Sequence, residues 1–118
     1  MAVAVLTTAN GREKTALSRR YAAQWQDARA AGETIEVGTA NPPLRPSRPD
    51  KPALLSPRDV PHRKPGTLEG QIALLHAVAH IELNAVDLHW DIIARFSDTE
   101  LPMGYYDDWV KAADEESK

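Results

Sequence analysis

The stretch LEGQIALLHAVAHIELNAVDLHWDIIARF, from Leu68 to Phe96, decides how this chain folds. Its apolar residues recur every three or four positions, which predicts one helix of about 29 residues and about 43 Å. A helix of that length suits a bundle. Wound at about 100° per residue, it sets Glu82 among Leu75, Ala79, Val86 and Ile93 on an apolar side. A carboxylate expected to be buried there calls for a metal, an Arg or Lys partner such as Arg95 or Arg63, or a water-filled cavity. His76, His80, Asn84, Asp87 and Asp91 fall on a separate narrow stripe, open to solvent or to a polar network between helices.

Outward from this helix, Thr67 is the expected N-cap, Glu69 sits in the first turn, and Phe96-Ser97-Asp98 is the expected end. Upstream, eight of the nine prolines lie between Pro42 and Pro65, which forbids helix interior and central strand there. Residues 41–66 are therefore an extended arm. It is either a connector laid across the chain's own helices, or a polyproline ligand or basic phosphate contact. The first 40 residues hold a second helix, capped by Asn10 with Glu13 and stopped near Gly32. Its apolar stripe is Leu17, Tyr21, Trp25 and Ala28, and Thr34–Ala40 follows as a short extended piece. Downstream of Pro102 and Gly104, a last helix is expected from Tyr105 to Lys118. Its apolar face reads Tyr106, Trp109, Ala113 and then Glu116, a second carboxylate where packing is expected. Asp107 and Asp108 would be acids of its first turn.

At 118 residues, with 42% apolar composition, the chain supports at most one domain, in three segments: 1–40, 41–66 and 67–118. The net charge of −3 is unevenly spread. Residues 42–65 carry six Lys/Arg against two Asp, and residues 97–118 carry seven acids against two Lys. The absence of cysteine removes disulfides, thiolate metal sites and thiol nucleophiles. Met1–Leu6 lacks the basic flank and apolar length of a signal peptide, and no segment is apolar enough to span a bilayer, so the cytoplasm is the expected compartment. Neither a Ser-His-Asp order nor a phosphate loop is present.

Inward carboxylates on two helices are half of a carboxylate di-metal arrangement, which uses a lone Glu from each of two helices and a Glu-x-x-His pair from each of two others. Glu82 fits the lone Glu and Glu116 the first residue of Glu-x-x-His, the chain stopping one short of the histidine. His76 and His80, four apart on one helix, have a spacing that can chelate zinc, with Asp87 as a third ligand, or they belong to a polar network. His89, seven residues after Glu82, lines the same cavity or packs in the core.

The run ALLHAVAHIELNAVDLHWD (73–91), with Tyr106-Asp-Asp-Trp-Val, Ala113-Asp-Glu-Glu and the arm motifs Pro42-Pro-Leu-Arg-Pro-Ser-Arg-Pro and Pro57-Arg-Asp-Val-Pro, resembles a bacterial ferritin-like family of unknown function. The resemblance implies an all-α, ferritin-like four-helix-bundle fragment with a Pro-rich arm, corresponding to an amino-terminal half. It further implies Glu82 and Glu116, with His80, as ligands of iron or manganese. The full-length activity it implies is an oxygen-activating oxidoreductase, of which this chain would be an incomplete and inactive part. The missing bundle helices are then the expected partners. The alternative is a non-enzymatic helical interaction module that self-associates through its apolar faces. Nucleic-acid binding through the basic arm is the weakest reading.

Overall fold

The computed structural model describes residues 1–50, 64 and 66–118. Among them every regular element is helical: α1 (Ala2–Leu6), α2 (Gly11–Ala30), α3 (Leu68–Arg95) and α4 (Met103–Glu116). Expectations resting on Arg63 and on residues 57–61 lie outside the described residues.

The expected caps of α2 and α3 form. Asn10 accepts from the Glu13 N–H and Thr67 from the Gly70 N–H, each satisfying one orphan donor of a first turn. Gly32, at φ 70°, ends α2 in the left-handed region that glycine enters most readily. α3 stops one residue before the expected Phe96, which is its C-cap. α4 begins two residues earlier than expected, after Pro102, and closes on Ser117. Asp107 consequently lies beyond the first turn and is not a dipole-stabilising acid there. Residues 34–40 form no strand. They run irregularly along the core, packing Ile35, Val37 and Ala40 against it, and the Ala40 N–H donates to Ser97 Oγ at 2.8 Å.

α1 was absent from the sequence reading because five residues cannot sustain a helix alone. Tertiary packing holds it: Val5 and Leu6 are fully buried against α3, and the Thr7 and Thr8 hydroxyls donate back to the Val3 and Ala4 carbonyls at its end. The core gathers Val5, Leu6, Ala22, Trp25, Val86, Trp90, Ala94, Tyr106, Val110 and Ala113. On α2 the buried residues are Lys14, Ser18, Ala22 and Trp25, so the buried line is rotated from the expected stripe and Leu17 and Tyr21 lie only partly covered.

All of the core residues of α3 lie in its C-terminal half. The N-terminal half projects, leaving Leu68 72%, Leu74 61% and Leu75 69% exposed. The radius of gyration reflects this, at 16.5 Å against about 13.5 Å for a compact chain of this length.

Candidate functional site

Glu82 sits at the middle of α3, and the structure overturns its expected burial: the residue is exposed at the rim of an open cleft. Its neighbour is not Arg95, which pairs with Asp91 at 2.7 Å. It is Glu116, brought from the last turn of α4 by the antiparallel packing of the two helices. Glu116 raises the Glu82 pKa above its ordinary 4.5, through side-chain hydrogen bonding first and its charge second, with desolvation the smallest cause. An acid beside a second carboxylate ionises at higher cost, which is the physical origin of the shift. Both carboxyls border the cleft, of about 570 Å³, with Arg12 and Thr15 of α2 and Ala79 and Leu83 of α3 among its walls.

His80 is directed elsewhere. Its Nε2 lies 2.7 Å from the Arg48 guanidinium, which also donates to Asn84 Oδ1 at 2.5 Å. Because arginine only donates, Nε2 is the acceptor and the ring proton resides on Nδ1. His76 is exposed, and among the described residues no three His, Cys, Asp or Glu side chains come together as a metal site. The donors present fit part of a shell, two carboxylates able to bridge or chelate an ion, and fall short of a di-metal centre. His89 packs against the Trp109 ring at 5.4 Å, its Nδ1 buried without a hydrogen-bond partner, and burial lowers its pKa.

Apart from the exposed His76, the polar stripe of α3 is partly or fully covered. Asp87 is buried and accepts from Lys14 Nζ at 2.5 Å, while the same ammonium donates to the Ser47 carbonyl at 2.7 Å. Burial pushes the Asp87 carboxyl up, opposed by the Lys14 hydrogen bond and charge. Ser47 N–H donates to the Leu6 carbonyl at 2.7 Å, and Arg95 reaches the Pro43 carbonyl at 3.4 Å. The described arm is therefore a connector fastened along α3. Deeper still, Ser18 Oγ accepts from Trp90 Nε1 at 2.7 Å and lies 2.8 Å from Ser117 Oγ, linking α2, α3 and α4. Asp107 accepts from Trp25 Nε1 at 2.7 Å and from Arg29 at 3.0 Å; the Arg29 bonds hold its carboxyl below the ordinary value. Sequence reading missed Lys14, Ser18 and Arg48. The available signal was their period on α2 and the single short side chain of Asn84 opposite a basic arm.

No described helix is long and apolar enough to cross a membrane. No solved structure matches the chain. A Haemophilus influenzae protein named "Uncharacterized protein" is 47% identical over 74 residues, covering 58% of this chain and 26% of that protein, so the chain spans about a quarter of this relative's length. The model of a family described as protein of unknown function, DUF455, matches residues 7–118, and the chain belongs to that family.

Proposed function

We propose that this chain is the carboxylate-bearing portion of a ferritin-like metal-binding helical protein, with Glu82 and Glu116 as two of the ligands. The observation that carries the reading is the approach of two acids from antiparallel helices, Glu82 of α3 and Glu116 of α4, at one cleft. Carboxylates take a cation in their ionised form, so a cation competes with protons for such a pair. The ions would be iron or manganese, which carboxylate-rich sites accommodate, and bound in full they supply the redox chemistry of oxygen activation. This chain's own residues do less: Glu82 and Glu116 hold a proton or an ion, and Arg48 fixes the tautomer of His80. His80 would join the ligands only on leaving Arg48, and the remaining ligands would come from further helices. A cytoplasmic setting accords with this reading. Elemental analysis after iron and manganese loading tests it, on this chain and on a longer family member. Metal retained by the wild-type proteins and lost on Glu82→Ala supports the reading, and no metal on either defeats it.

A second reading, a helical interaction module, is favoured by the exposed leucines and isoleucines along α3. It requires no metal, and the carboxyl pair would then be a surface feature.

A further inference from the structure

Three sides of α3 have an occupant. Val86, Trp90 and Ala94 face the core, Glu82 and His89 adjoin α4, and His80, Asn84 and Asp91 adjoin the arm or the Arg95 guanidinium. On the fourth, Leu74, Val78, Ile81, Ala85, Leu88 and Ile92 succeed one another at alternating intervals of four and three residues. That is the spacing of a coiled-coil seam. Among the described residues none of the six belongs to the core or packs against it, and Leu74, Ile81 and Leu88 are 61%, 62% and 57% exposed.

We propose that this seam is a two-fold, antiparallel interface with a second copy of the chain. The inference rests on the interaction-module reading and is independent of whether the carboxyl pair takes metal. In an antiparallel pair each residue at one seam position meets the other position of the facing helix. Here one two-fold register pairs all six positions: Leu74 of one copy meets Ile92 of the other, Val78 meets Leu88, and Ile81 meets Ala85. Every layer is apolar, and the central pairs set a large side chain against alanine, which lets the two backbones approach. Antiparallel helices also oppose their dipoles favourably. With roughly 80 Å² of apolar surface per large seam side chain and five such residues per copy, two copies bury about 800 Å², the size of weak, transient interfaces and below that of stable ones. The interface is thus large enough for a weak dimer. Its cost is that Glu82 lies beside the seam near the two-fold axis and faces its equivalent, so added salt should tighten the association.

The test is sedimentation equilibrium on the metal-free chain, with and without Ile81→Glu, a change at an exposed position whose folding is verified by circular dichroism. A dimer whose dissociation constant rises about tenfold or more on Ile81→Glu, but not on Gln24→Glu in exposed α2, is expected. Register is read by disulfide trapping, which is clean because the chain has no cysteine. Mixing Val78→Cys with Leu88→Cys chains should give cross-linked heterodimers, while Ala85→Cys alone should link poorly. A chain that stays monomeric at millimolar concentration overturns both the inference and the interaction reading. A dimer that cross-links through Ala85→Cys, or that ignores Ile81→Glu, overturns the seam and its register while leaving self-association standing.

Discussion

Lys14 and Asp87 form the most buried ion pair among the described residues, at 0% and 5% exposure, with the Ser47 carbonyl as a second acceptor for the ammonium. Removing one partner strands the other, so Lys14→Met is expected to cost about 3–5 kcal/mol of unfolding free energy, and the double change Lys14→Met/Asp87→Leu to restore most of it. Urea denaturation of the three variants checks this. Acid titration separates the carboxyls by sign. Arg29 lowers the Asp107 pKa, so the stability it contributes is full above its ordinary 3.8 and lost as pH falls through the folded value. Glu82 is raised, so its folded form binds protons more tightly, and the stability this gives fades as pH rises from 4.5 through the folded value. In thermal melts across pH, Asp107→Asn should therefore flatten the acid limb and Glu82→Gln the limb above it. An unchanged profile in either variant would contradict the corresponding pairing.

At the scale of elements, the two long helices were legible because caps and period are local. Asn10, Thr67 and Gly32 do what their chemistry dictates. The buried line of α2 was not legible, since Lys14 and Ser18 read as surface residues until the arm, Trp90 and Ser117 supply their partners. The same holds for α1, whose helix exists only on α3. The arm's fastening yields a prediction at this scale. Arg48→Ala removes the donor to both Asn84 and His80, and hydrogen exchange in residues 41–50 should quicken while the core of α3 is unaffected. The start of α3 is equally specific: a Cβ on Gly70 would lie 1.8 Å from the Lys64 carbonyl oxygen, so Gly70→Ala should fray the first turn, visible as lost amide protection there.

For the whole molecule, the sequence pattern gave an all-helical chain with apolar residues around much of α3, but not which side is filled. Glu82 looked buried because the wheel assumes a complete environment, whereas the core forms only on the C-terminal half of α3. Glu82 and Glu116 were legible as two misplaced carboxylates on two helices; their approach to each other was not, because it depends on the α3–α4 packing. His80 was drawn into the same group by sequence proximity, yet its Nε2 belongs to Arg48, and two residues along a helix point to different sides.

The most direct test of the metal reading is calorimetric titration of the chain with Mn²⁺ in two buffers of different protonation enthalpy. The account predicts weak binding that tightens as pH rises through the carboxylate range, with proton uptake by the buffer at the acid end of that range, and that disappears in Glu82→Gln. Binding that is identical in wild type and Glu82→Gln, or that does not change with pH, would contradict it.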